Sequence, residues 1–190
     1  METTTENPAV LKGEAVKNGL IMATVSIVIF LVTNYVMPEL LGSTAFSILS
    51  IVIGLGLAVF FSIDMRKKAG GYWTFSEALL HIFIMFLVSA GVVYVFTILF
   101  GKYIDTTYPE RMKEMISAKT EDIINKFGMS ESQKDEMLEK QSQQLEQQFN
   151  PTFFQGIVGF GIQAIMYGIG ALIFAAIFKK TKPLFPQNVD

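Results

Sequence analysis

Residues 78–100 read ALLHIFIMFLVSAGVVYVFTILF, a run without Asp, Glu, Lys or Arg. Three other runs share that property, at 19–37, 40–63 and 153–178. Each is about 19 to 26 residues long, the length that crosses roughly 30 Å of hydrocarbon as a helix. Inside a bilayer every backbone N–H and C=O must be satisfied within the segment, which favours the helix. The sequence therefore predicts an all-α integral membrane protein. It has four transmembrane helices, at about residues 16–37, 41–63, 75–100 and 153–178, within one membrane domain spanning 1–190.

Composition agrees with this. The chain of 190 residues is 51% hydrophobic and only 17% charged, and its apolar residues gather in blocks, as in a multispan protein. A net charge of −2 gives no case for nucleic acid, whose binders carry clustered basic patches. With no Cys, disulfides, thiolate metal sites and a Cys nucleophile are excluded. Lys12 and Lys17 precede the first apolar run. That run is longer than a signal-peptide core and lacks a small-x-small cleavage site before Asn34 and Pro38, so it reads as a retained signal anchor. Asn7-Pro8 suits an N-cap followed by Pro at the first helical position, leading a short helix directly into the first span.

The connections set the topology. Pro38–Ser43 is short enough to make spans one and two a tight antiparallel hairpin. Gly70-Gly71 breaks the chain before Tyr72-Trp73, a pair suited to interface depth. Near the block ends, Lys17, Arg66, Lys67, Lys68, Lys179, Lys180 and Lys182 fall on one side of a four-span arrangement, and only Lys102 on the other. Total Lys and Arg nearly tie, eight against seven. Charges nearest the span ends carry the most weight, however, and acidic residues little. Both termini are accordingly expected in the cytoplasm and 101–152 outside, an inverted arrangement being the alternative.

The 101–152 stretch is polar but patterned. Met112, Met115, Ile116, Ile123, Ile124 and Phe127 recur at helical spacing, and Gly128 suits a helix stop. Ser130-Glu131-Ser132-Gln133 matches a capping box and opens a second helix with Met137, Leu138, Leu145 and Phe149 on one stripe. Asn150-Pro151 ends it. A helical hairpin with seven basic and ten acidic residues is expected between spans three and four. Its apolar stripes cover each other, or part of them meets a partner protein or a second copy of this chain.

Polar residues in or beside the apolar blocks are the candidates for chemistry. Glu77 and His81, at i and i+4, share a helix face. Intramembrane ionisable groups point to ion or proton pathways, yet Thr74-Phe75-Ser76-Glu77 is itself a capping box, which places Glu77 at the interface in a structural role. Two ligands fall short of the three usual for catalytic zinc. Gln163, two turns into block four, reads as interhelical hydrogen-bonding glue; Asn18 and Asn34 lie near the ends of block one. Small residues recur at three- and four-residue steps in block two (Ser43, Ser47, Ser50, Gly54, Ala58, Ser62) and block four (Gly161, Ala164, Gly168, Ala171, Ala175). Such stripes let helices approach closely, within one chain or across a homodimer. Neither a ring of charges nor a broken helix pair marks a pore.

Lys17-Asn18-Gly19-Leu20-Ile21, the segment Gly70-Gly71-Tyr72-Trp73-Thr74-Phe75-Ser76-Glu77-Ala78 and Gly128-Met129-Ser130 together resemble a bacterial membrane family, domain of unknown function 4199. The resemblance covers about residues 10–182. It implies four spans, a polar insertion between spans three and four, and a bacterial inner-membrane location, but no activity, cofactor or catalytic residue. Without a G-x-S-x-G, a phosphate-cradling Gly loop or His-rich metal spacing, no enzyme and no cofactor is expected. The partners expected are the lipid bilayer and a protein, met through the 109–149 hairpin, or a second copy met there or along the small-residue stripes. An interaction or scaffold protein is the leading reading; a small transporter or channel subunit using Glu77, His81 and Gln163 is the alternative.

Overall fold

The computed structural model describes residues 8–41, 43–127, 130–149 and 151–182. Six helices follow in order: α1 Pro8–Tyr35, α2 Thr44–Lys68, α3 Phe75–Leu99, α4 Tyr108–Phe127, α5 Glu131–Phe149 and α6 Phe153–Phe178. Four of them (α1, α2, α3, α6) are long and apolar enough to cross a membrane. The protein is an all-α membrane protein, with the polar helices α4 and α5 inserted between the third and fourth spans.

Local chemistry sets most of the helix ends. Ser43 caps α2 by accepting from the Phe46 N–H at 3.4 Å. Thr74 and Glu77 form the expected capping box on α3, with the Thr74 N–H donating to Glu77 Oε2 at 2.7 Å. A second box on α6 pairs Thr152 with Gln155, from a Thr-x-x-Gln pattern the sequence reading passed over. α2 stops at Gly70 and Gly71, whose φ angles of +82° and +84° suit glycine alone among common residues. The Gly71 N–H turns back to the Arg66 carbonyl at 2.9 Å. α1 runs unbroken from Pro8 into the first span; the proposed Asn7 cap and the Gly128 stop lie outside the described residues.

The expected tight pairing of α1 with α2 is looser than the sequence suggested. A short 3₁₀ turn, Pro38–Leu40, joins them, but α1 lies chiefly against α3, and α3 against α6. The reason is Gly19. A Cβ placed there would sit 2.6 Å from the Met85 carbonyl oxygen and 2.9 Å from Val88 Cβ, so only glycine lets the two backbones approach so closely. Ala15 and Ala23, four residues to either side, are fully buried. Ala15-Gly19-Ala23 is thus the stripe that carries the closest crossing.

Packing is uneven along the bundle. The core gathers at the end rich in Lys and Arg, hereafter the basic end. There Ala58, Phe61 and Met65 of α2 meet Ile82, Met85 and Phe86 of α3 and Ala171 and Ala175 of α6. Towards the hairpin end the helices part. The stripes of α2 and α6 are filled only in their basic-end halves: Ala58, Ser62, Ala171 and Ala175 are buried, whereas Gly54 and Gly161 have open space beside them.

The hairpin is tied to the bundle by aromatic rings. α3 ends in a π-helical turn, Phe100–Ile104, closed by the Asp105 N–H donating to the Phe100 carbonyl at 2.9 Å. Phe100, wholly buried, packs edge-on against Phe30 at 4.9 Å and Tyr108 at 5.5 Å, and Tyr108 meets Phe149 at 5.8 Å. Edge-to-face pairs of this kind contribute about 0.5–1.5 kcal/mol each beyond area burial.

Candidate functional site

Glu77 and His81 lie at the basic end but not as a joined acid–base pair. The exposed Glu77 carboxylate is held by its own cap, accepting from the Thr74 N–H at 2.7 Å and from the Thr74 hydroxyl at 3.0 Å. His81, 3% exposed, places Nδ1 2.6 Å from the Glu77 backbone carbonyl. A carbonyl only accepts, so Nδ1 donates this bond. Among the described residues, Nε2 is buried without a partner, as is the Asn18 amide nitrogen. Among the described residues, no three His, Asp or Glu side chains gather in a metal-binding group.

Trp73 is the keystone above His81. Its indole stacks on the imidazole at 16° and 6.4 Å between centroids, and its Nε1–H donates to the Phe178 carbonyl at 2.8 Å. Trp73 and Lys180 also exchange backbone hydrogen bonds at 2.9 and 3.0 Å. The α2–α3 loop is thereby clamped to the end of α6. α1 and α2 are pinned alongside by Lys68, whose ammonium meets Glu14 at 2.7 Å and Asp64 at 2.8 Å.

Gln163 behaves otherwise than expected of interhelical glue. Among the described residues it makes no hydrogen bond to another helix. It lines a cavity of about 710 Å³ between α1, α3 and α6 at the hairpin end, roofed by α5. Ser26 of α1, Ser89, Tyr94 and Thr97 of α3, and Gln144, Gln147 and Gln148 of α5 contribute polar groups to the same space. Neither Glu77 nor His81 reaches it, so the three polar candidates divide between the two ends. The α5 glutamines were absent from the sequence reading; the signal that could have found them is the amide-rich run Gln141–Gln148 directly before a span.

The hairpin covers itself in part. Ile124, Leu145 and Thr120 are buried between α4 and α5, where the Gln141 amide donates to Thr120 Oγ1 at 2.5 Å and the Lys113 ammonium meets Glu146 at 2.5 Å. Hydrogen bonding to Glu146 raises the Lys113 pKa above its ordinary value. The Thr107 hydroxyl, donating to Asp105 Oδ1 at 2.7 Å, lowers the Asp105 pKa, with Arg111 adding an ion pair. Ile123, Met137 and Phe127 stay uncovered, Phe127 being 76% exposed.

Four apolar spans, a polar hairpin and a packed basic end define a multi-pass membrane protein. The chain belongs to the family described as Protein of unknown function (DUF4199), whose model matches residues 17–180. Comparison with curated proteins and with solved structures gives no match.

Proposed function

We propose that this is a non-enzymatic interaction protein of the bacterial inner membrane, with both termini cytoplasmic and the 101–152 hairpin displayed outside. The four spans act as anchor and the hairpin as working surface. The carrying observation is that Ile123, Phe127 and Met137 stay exposed on the hairpin while Ile124 and Leu145 are buried between its two helices. Their setting has a net charge of −3, from seven basic and ten acidic residues. The partner this suits is a protein with an apolar anchor ringed by basic residues.

Orientation is tested first, and the absence of native Cys makes it direct. In intact spheroplasts an impermeant maleimide should label Ser142→Cys, an exposed position on α5, and should label Lys67→Cys only after permeabilisation. For the partner, a photoreactive residue at 123 should yield a discrete cross-linked product that Phe127→Glu removes. Cross-linking unaffected by Phe127→Glu would sink the reading, and a product of twice the chain mass would identify a homodimer. The transporter alternative has less support. The polar cavity stops short of Glu77 and His81, and Met65, Trp73, Ile82 and Met85 fill the basic end below it.

A further inference from the structure

We infer that the cavity at the hairpin end is a binding site for one uncharged, hydroxyl-bearing lipid of the diacylglycerol or glycosyl-diacylglycerol class. This is independent of the hairpin's proposed partner. The cavity, at about 710 Å³, falls within the range of small-molecule sites, roughly 300–1,000 Å³. Three observations point to the occupant.

The first is depth. Gln163 lies ten residues beyond Phe153, the first residue of α6, or about 15 Å along the helix, near the middle of a hydrocarbon core about 30 Å thick. A primary amide there without a partner is costly, by several kcal/mol in a medium that cannot hydrogen-bond. Among the described residues neither Gln163 nor Ser89 has a hydrogen-bond partner, and both line the cavity. The second is access. Phe154, Val158 and Ile162 line the cavity yet are 73%, 44% and 62% exposed. The space therefore opens sideways past α6, towards where acyl chains lie.

The third is charge. No lining residue carries a carboxylate, ammonium or guanidinium group. A lipid phosphate would find no cation there, and an amine no anion. Amides and hydroxyls instead match hydroxyls and ester carbonyls: Gln144, Gln147 and Gln148 stand over the head, Gln163 and Ser89 donate to carbonyls below it, and an acyl chain follows Val93, Val158 and Ile162.

The test uses the full-length protein in phosphatidylcholine nanodiscs doped with a diacylglycerol carrying a photoactivatable diazirine in one chain. Mass spectrometry should place the adducts on residues 89–98 and 154–163. Gly159→Trp fills the cavity at a position where an added Cβ meets only Tyr94 Oη, at 4.0 Å, and should cut labelling about tenfold, equivalent to 1.4 kcal/mol. Gln163→Leu keeps the volume, removes the amide, and should also weaken labelling without changing helical content. Competition by unlabelled glucosyl-diacylglycerol below the concentration needed for diacylglycerol would assign a sugar head; the reverse order would assign the bare glycerol hydroxyl. Adducts spread evenly over all lipid-facing helices, unchanged in both variants, would overturn the inference. So would displacement by phosphatidylglycerol in preference to either neutral lipid.

Discussion

At the basic end the bundle closes around Trp73, Met65 and Ile82 until almost nothing of them is exposed; at the hairpin end the same helices part around a polar-lined space. α3 and α6 run through both regions, so the difference lies in side chains. Where α6 presents Ala171 and Ala175 it reaches the core. Where it presents Phe154, Ile162 and Gln163 it stands off. Apolar drive cannot explain the contrast, because lipid tails are as apolar as the core, and association in a bilayer rests on close van der Waals contact and interhelical hydrogen bonds. The basic end supplies both, through small residues and the Trp73 clamp. The hairpin end supplies them mainly to its own aromatic cluster.

The largest break in this comparison comes from Trp73. Trp73→Ala removes a buried indole, its hydrogen bond to the Phe178 carbonyl and its stack on His81. It should cost about 3–5 kcal/mol, read by reversible unfolding in mixed detergent micelles. Trp73→Phe keeps a ring and should lose about 1–2 kcal/mol. Equal losses would show that the hydrogen bond, not ring packing, closes this end.

Glycine tests the same contrast from the backbone. Gly19→Val forces a side chain against the Met85 carbonyl and Val88 and should cost about 3 kcal/mol, at the upper range for overpacking. Gly161→Val enters open space and should stay within about 0.5 kcal/mol of wild type. Similar values at both positions would mean that the hairpin end is packed as closely as the basic end.

The third probe is alkaline pH at the hairpin end. Burial pushes the Tyr108 phenol from 10.0 up to about 12. The folded state holds this proton more tightly than the unfolded chain does. Its contribution is therefore complete below pH 10 and lost as pH rises from 10 to 12. At 1.36 kcal/mol per unit this amounts to about 2.7 kcal/mol. Tyr108→Phe should unfold with a correspondingly smaller pH dependence over that window, as compared by denaturant titrations at pH 9 and 11.5.

Helix number, the hairpin and the Thr74–Glu77 cap were legible in the sequence, because run length and capping chemistry are local. The crossing at Ala15-Gly19-Ala23 was equally legible in principle, because small residues at four-residue steps are a local pattern. What was not legible was which half of each stripe is used. That depends on where α2 and α6 diverge, a property of the whole bundle that no spacing within one helix records. Gln163 shows the same limit: its depth follows from counting residues, but its facing a cavity rather than a helix depends on α5 roofing the gap from another part of the chain.

The smallest effect is expected at the Lys113–Glu146 pair, which joins α4 to α5 near the bundle end of the hairpin. The Lys113 pKa is raised by its hydrogen bond to Glu146, so its contribution is present below its ordinary pKa of 10.5 and lost as pH rises through the higher folded value. The Glu146 side chain is 58% exposed and that of Lys113 24%, so solvent screens the pair strongly. A double-mutant cycle of Lys113→Met and Glu146→Gln should give a coupling below about 1 kcal/mol, diminishing in high salt. The value distinguishes two kinds of hairpin. If the coupling is small while Tyr108→Phe alters the alkaline response, α4 and α5 are held mainly by aromatic docking onto the bundle, and the α5 roof moves with α3 and α1. A coupling above about 2 kcal/mol would instead make the hairpin a self-braced unit, with the hairpin end no less rigid than the basic end.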